Sequence, residues 1–126
     1  GTQAMTIDAS GARRTIIEGE FRALQALCQD TGDGPLWERA QSLLRAYRFR
    51  DPLHQLVFDA LCALPRSAPE ETRMALTHRL TLKGFPDVDI EPFFHRHTMS
   101  DELAVSIIEH LEFTARLHSL DAPGAP

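Results

Sequence analysis

The sequence predicts an all-α protein, a compact bundle of five to six helices with a long C-terminal helix. Apolar residues recur every three or four positions in several separate segments, which is the spacing that puts them on one face of a helix. No segment alternates apolar and polar residues with a period of two, as a half-buried strand would. Proline and glycine separate the periodic segments, and the connections are short, which is typical of a helical bundle.

The first predicted helix runs from about 16 to 29. Thr15 and Glu18 have the spacing of a capping box, in which each side chain satisfies a backbone donor at a helix start. Residues 1–14 come before this cap and lack periodicity, so we expect a disordered, tag-like leader outside the fold. The apolar stripe of the helix consists of Ile17, Phe21, Leu24 and Leu27 or Cys28.

The second predicted helix follows a segment rich in turn formers, 29–35, and ends before Phe49. Pro35 suits its first turn. We expect Trp37 to lie in the core; the alternative is an exposed binding platform formed with Tyr47 and Phe49. The apolar positions of this helix are Leu36, Trp37, Ala40, Leu43, Leu44 and Tyr47.

The third helix is predicted from Pro52 to about Leu64. Asp51 precedes the proline, which disfavours helical geometry at Asp51 and makes its side chain a good N-cap. The apolar arc is too wide for a surface helix, so we expect a central helix, with Phe49 and Phe58 as core anchors. The arc consists of Leu53, Leu56, Val57, Phe58, Ala60, Leu61, Cys62 and Leu64.

The fourth helix is predicted to begin near Glu70 and Glu71, whose charges suit the positive end of the helix dipole, and to end at Gly84. Its apolar residues are Met74, Leu76, Leu80 and Leu82. A short helix with Asp89 as its cap is expected within 84–94. The long last helix is predicted from about 101 to 120, with Ser100 as its N-cap, and 121–126 is expected to be a frayed tail.

Composition limits the classes of partner. The chain of 126 residues has 13 basic and 18 acidic residues, a net charge of -5, so direct nucleic-acid binding is not expected. Its two cysteines, Cys28 and Cys62, lack CxxC spacing, which favours reduced thiols and a cytoplasmic protein. No stretch approaches the roughly 18 apolar residues of a membrane span, so no membrane partner is expected.

The histidines are the obvious candidates for chemistry. His54 is angularly placed on the core face of its helix, near the helix start, which favours a neutral structural histidine. His95 and His97, with nearby acids, leave open a small metal-dependent enzyme, although side chains two apart on a helix diverge. We expect no catalytic residue, no cofactor and no metal site, and therefore a protein that is not an enzyme.

Two features indicate candidate interfaces: an uneven distribution of charge along the chain, and more apolar residues on the last helix than its packing requires. The segment 36–50 holds four arginines against one glutamate, whereas 87–112 holds seven acids against one arginine, an asymmetry that steers protein partners. A DNA-associated regulator that uses these arginines is a further alternative. The last helix carries more apolar positions than one packing face needs, which predicts a homodimer or higher homo-oligomer. The interface candidates are Arg45, Arg48, Arg50, Leu103, Ile107, Ile108 and Leu111.

Four segments in unbroken order carry a family resemblance. They are IEGEFRALQALC at 17–28, the pattern W-x11-F-x4-H formed by Trp37, Phe49 and His54, APEETRMALTHRLTLKG at 68–84, and TMSDELAVSIIEHLEFTARLHSL at 98–120. Together they resemble the N-terminal domain of DnaB-type replicative DNA helicases, and residues 15–120 would form that domain. The resemblance implies a helical module that packs against copies of itself and docks a replicative helicase or primase. No phosphate-loop motif is present, so we expect a non-enzymatic protein-protein interaction module.

Overall fold

The protein is a bundle of helices in a computed structural model that describes residues 9–121, with side chains described from 13 to 117. Within this range there is no strand. The elements in chain order are α1 (Ala9–Cys28), α2 (Leu36–Leu44), α3 (Pro52–Cys62), α4 (Pro69–Leu82), a 3-10 helix (Glu91–Phe94) and α5 (Asp101–Asp121). The predicted class, an all-α bundle of five to six helices with a long last helix, is confirmed.

Three predicted helix signals are present in the structure. The Asp51 side chain accepts a hydrogen bond from the Leu53 N–H at 2.8 Å, which caps α3. Ser100 accepts one from the Leu103 N–H at 3.1 Å at the start of α5. Gly84 has a φ of +93°, the left-handed geometry that ends a helix and that glycine adopts without a Cβ penalty.

The start of α1 differs from the prediction. The helix begins at Ala9 rather than at 16, so Thr15 lies inside it and the predicted capping box is wrong. Residues 9–14, expected to belong to a disordered leader, are helical; the strong helix formers alanine and arginine outweigh the low helix propensity of Gly11. The rest of the predicted leader, 1–8, lies outside the described residues. Of the predicted tail, Asp121 is the last residue of α5 and 122–126 lies outside them too.

The central element is α1 and not α3, which corrects the sequence prediction. α1 packs against α3, α4, α5 and the 3-10 helix, whereas α3 packs mainly against α1 and α4, and α2 against α5. Residues 23–28, the last six of α1, are buried without interruption, so this end of the helix is covered on all sides. The predicted wide arc of α3 is narrower than expected, since Cys62 is exposed and Leu53 and Leu56 are only half-buried.

The aromatic residues join α2, α3 and the loop between them. Phe49 and Phe58 are buried as predicted, with ring centroids 5.3 Å apart. Trp37 is half-buried and packs against the core, 6.2 Å from the Phe58 ring. Tyr47, expected on the second helix, instead lies beyond the end of α2 and is buried in the loop.

Two predicted apolar positions of α4 face solvent. Met74 and Leu82 are 67% and 68% exposed, so the buried face of α4 consists of Thr72, Leu76 and Leu80. None of the helices in the described range is both long and apolar enough to cross a membrane.

Candidate functional site

A buried carboxylate on α1 holds the loop between α2 and α3. We call residues 47–51 of this loop the corner. Glu20 is fully buried, and its Oε2 atom accepts hydrogen bonds from the Tyr47 hydroxyl at 2.6 Å and the Arg50 backbone N–H at 2.7 Å. Its Oε1 atom lies 3.0 Å from Nδ1 of His54 and accepts the Asp51 N–H at 3.3 Å. A buried carboxylate is tolerated only when its lone pairs are satisfied, and these four donors satisfy it. The cluster therefore fixes the course of the chain from 47 to 54.

His54 is a structural residue of this cluster. It is buried, as predicted from its place on α3, and because a carboxylate only accepts hydrogen bonds, its Nδ1 atom is the donor to Glu20. Its Nε2 atom lies 3.8 Å from the Asp51 side chain, and its ring meets Phe93 edge-on at 5.9 Å.

Sequence reasoning missed Glu20 as the partner of this histidine. Glu20 lies four and seven residues before Leu24 and Leu27, on the same stripe of α1. A charged residue on a buried stripe requires a partner, and that requirement is the signal that the sequence contained.

Of the predicted interface arginines, Arg48 and Arg50 lie on the corner and Arg45 lies just before it. Arg45 and Arg48 are exposed, and neither makes a hydrogen bond or ion pair with the described part of the chain. Arg50 is exposed as well, with its backbone N–H bound to Glu20. Arg39, earlier in the same segment, pairs with Glu109 on α5 at 3.0 Å. The positive surface is therefore provided by the corner rather than by the whole of α2.

The predicted α5 residues divide between the core and the surface. Ile108 and Leu111 are buried against the bundle, so they are core residues and a partner of the intact fold does not reach them. Leu103 is 43% exposed, and Ile107 is half-buried beside it. The face of α5 that α1 and α2 cover is apolar, whereas the exposed face carries single apolar residues among polar ones such as Ser106 and His110.

Two further apolar residues of α5 are exposed and were not among the candidates. They are Phe113 at 54% and Leu117 at 43%. At 100° per residue, they share an arc of about 120° with Leu103 and Ile107. We call these four residues the α5 stripe. The stripe borders a groove of about 470 Å³ between α1 and α5, lined in part by Gly19, Ile107 and His110.

No protein-family model matches the chain, and no curated protein or solved structure is significantly similar to it. The functional proposal therefore depends on the surfaces themselves and on the sequence resemblance.

The histidines of the metal alternative have structural contacts. The His97 Nδ1 atom accepts the Met99 N–H at 3.1 Å, and the His95 backbone carbonyl accepts the side-chain amide of Gln29 at 2.8 Å. Among the described residues, no three His, Cys, Asp or Glu side chains are grouped so that they could hold a metal ion. The Gln25 side chain of α1 donates to the same His95 carbonyl at 3.2 Å, so the loop after the 3-10 helix is tied to the end of α1.

Proposed function

We propose that the chain is a non-enzymatic protein-protein interaction module that self-associates through the α5 stripe. The observation that carries the proposal is the exposure of Leu103, Phe113 and Leu117 on one side of a helix whose other side lies in the core. Apolar residues that the monomer leaves exposed on one side of a helix are available to a partner.

The stripe suits a symmetric pair. Two copies of α5 can face each other so that the same four residues contribute from both sides, which is the arrangement of a twofold dimer. The groove of about 470 Å³ beside the stripe offers a recess for apolar side chains of the second copy. Gly19 lines this groove, and a Cβ atom added there would make an ordinary van der Waals contact with the Leu111 side chain at 3.4 Å.

A replication protein is the second partner in this proposal. The support is the resemblance of the sequence to the N-terminal domain of DnaB-type helicases, in which this domain engages the primase. The segment with Arg45, Arg48 and Arg50 provides a surface other than the α5 stripe for such a partner. Titration with a purified replicative helicase and its primase tests this part, and absence of binding to both would remove it.

Self-association is tested by sedimentation equilibrium over a range of protein concentrations. We expect a dimer or higher oligomer for the natural sequence, and a dissociation constant raised about tenfold or more by Phe113→Lys. Leu82→Lys is the matched control, because Leu82 is also an exposed apolar residue near the end of a helix but lies on α4. A monomer at high concentration, or equal effects of both changes, would overturn the proposal.

A further inference from the structure

We infer that pH controls self-association through the α5 stripe, because a twofold pairing of this stripe brings the His110 side chains of two copies together. His110 is an exposed residue of α5 that lines the groove between α1 and α5. The inference rests on the proposed self-association and names the residue that regulates it.

His110 lies at the centre of the α5 stripe. The four apolar residues of the stripe lie seven and three positions before it and three and seven positions after it: Leu103, Ile107, Phe113 and Leu117. At 100° per residue, His110 also points along the middle of the arc of about 120° that these residues share. The stripe is therefore symmetric about this one residue, both along α5 and around it.

This symmetry favours a second copy of the chain as the occupant of the stripe. In a twofold pair of antiparallel helices, the residue on the axis faces its own copy, and residues at equal distances on either side of the axis face each other. With the axis at His110, Leu103 lies opposite Leu117 of the second copy. Ile107 lies opposite Phe113 in the same way. Each apolar residue of the stripe then has an apolar partner, and the histidine falls on the axis.

A histidine on the axis makes this pairing sensitive to acid. Histidine is the side chain that ordinarily gains its positive charge between about pH 8 and pH 5. Two protonated rings that face each other repel, and like charges placed opposite each other oppose binding. The pair therefore binds fewer protons than two separate chains, so a fall in pH favours separation.

The charged groups around His110 leave this repulsion in place. Glu18 and Arg22 of α1 line the same groove and carry opposite charges. On the side of α2, Arg39 pairs with Glu109 at 3.0 Å. The residues one helical turn before and after His110 on α5 are uncharged: Ser106, Ile107, Phe113 and Thr114. The second histidine is thus the charge that dominates at the axis.

The overall charge of the chain predicts the opposite pH dependence, which makes the sign of the effect diagnostic. The net charge is -5 with the six histidines neutral, so protonation of histidines brings it closer to zero. Repulsion between whole chains therefore decreases as the pH falls. Association that weakens over the same range requires a local repulsion such as the one at His110.

Sedimentation equilibrium of the natural chain at about pH 8 and about pH 6 tests the inference. We expect the dissociation constant to rise about tenfold or more at the lower pH. His110→Gln keeps a polar side chain without the titrating ring, so its association should not weaken on acidification. His78→Gln is the matched control, because His78 is an exposed histidine on α4, and it should behave as the natural chain does.

A cross-linking experiment tests the position of the axis independently. Facing positions on an axis between packed helices bring their Cα atoms into the range of about 4–7 Å that a disulfide spans. His110→Cys, made together with Cys62→Ser to remove the exposed natural thiol, should form a disulfide-linked dimer under mild oxidation. His78→Cys with Cys62→Ser should not, because it lies on another helix.

Three outcomes would overturn the inference. The first is a dissociation constant that is unchanged or smaller at the lower pH, and the second is an equal loss of association in His110→Gln. The third is a chain that associates but is not cross-linked through His110→Cys, because the axis would then lie elsewhere. In all three cases the oligomer persists and the proposed function stands, whereas a monomer at both pH values would overturn both.

Discussion

Glu20 of α1 and His54 of α3 are joined by a hydrogen bond of 3.0 Å between two buried side chains that lie 34 positions apart in the sequence. The same carboxylate holds the Tyr47 hydroxyl and the backbone of the loop between them. One residue of the central helix therefore fixes the corner that carries Arg48 and Arg50.

Replacement of Glu20 by glutamine should destabilise the protein strongly. The glutamine side chain has one acceptor oxygen and would point an NH2 group at donors that now face a carboxylate. Each buried donor that loses its acceptor costs about 1–3 kcal/mol in the free energy of unfolding. Urea unfolding of dilute protein measures the change, with Glu18→Gln as the control on the exposed side of α1, for which less than about 0.5 kcal/mol is expected. A loss of under about 1 kcal/mol in Glu20→Gln would mean that water replaces these contacts.

Stability should fall at alkaline pH. Burial raises the pKa of the Cys28 thiol to about 12. Burial, and then the hydrogen bond to Glu20, raises the pKa of the Tyr47 hydroxyl. In the unfolded chain these groups lose their protons near about pH 8.5 and pH 10. The folded state then holds more protons than the unfolded state, so the free energy of unfolding is highest below that range and decreases as the pH rises through it.

The change Cys28→Ala tests whether this thiol contributes to the decrease of the free energy of unfolding with pH. The variant lacks the thiol whose pKa rises to about 12, so its free energy of unfolding should decrease less steeply with pH than that of the natural chain. Urea unfolding at several pH values between about 8 and 11 gives both curves. Parallel curves would contradict the assignment to Cys28.

The two cysteines should differ in their reaction with a thiol reagent. Cys28 is buried and Cys62 is exposed, and both are free thiols. In the native protein we expect one thiol per chain to react promptly, and the second to react only when urea unfolds the chain. Partial burial also raises the pKa of the Cys62 thiol, so its reaction at neutral pH should be slower than that of a small-molecule thiol. Cys62→Ser should abolish the native reaction, and a prompt reaction that persists in this variant would contradict the burial of Cys28.

Replacement of Arg66 by lysine should loosen the contact between α2 and the loop after α3. The Arg66 guanidinium lies 3.8 Å from the centre of the Trp37 ring and donates hydrogen bonds to the backbone carbonyls of Leu27, Leu61 and Leu64. Lysine keeps the charge but not the planar group that stacks and donates at once. We expect a loss of about 1–3 kcal/mol and a shift in the fluorescence of Trp37, the only tryptophan. Arg79→Lys, at an exposed position on α4, should change neither, and equal effects would contradict a specific role for Arg66.

Local signals could be predicted from the sequence. Asp51 before Pro52, Ser100 before α5 and Gly84 after α4 act through neighbouring backbone atoms, so their effect does not depend on the rest of the fold. The start of α1 could not be predicted from Thr15, because the helix continues through this position from Ala9 and the capping signal there is weak.

Positions that depend on distant contacts were less predictable. Periodicity places residues on one face of a helix but does not say whether another helix covers that face. For this reason the apolar pattern of α4 does not reveal that Met74 and Leu82 are exposed, and Ile108 and Leu111 were expected at an interface but lie in the core. The burial of His54 followed from α3 alone, whereas its partner on α1 required the tertiary fold.

The most direct test of the central claim is an isotope-filtered nuclear Overhauser measurement on a mixture of labelled and unlabelled chains. It detects contacts between copies only. The account predicts cross-peaks between the Phe113 ring of one copy and methyl groups of the α5 stripe, Leu103, Ile107 or Leu117, of another. Cross-peaks confined to methyl groups of other helices, such as those of Met74 or Leu82, would contradict it, as would their absence at concentrations near the millimolar range, where even weak dimers with dissociation constants of about 1 mM form.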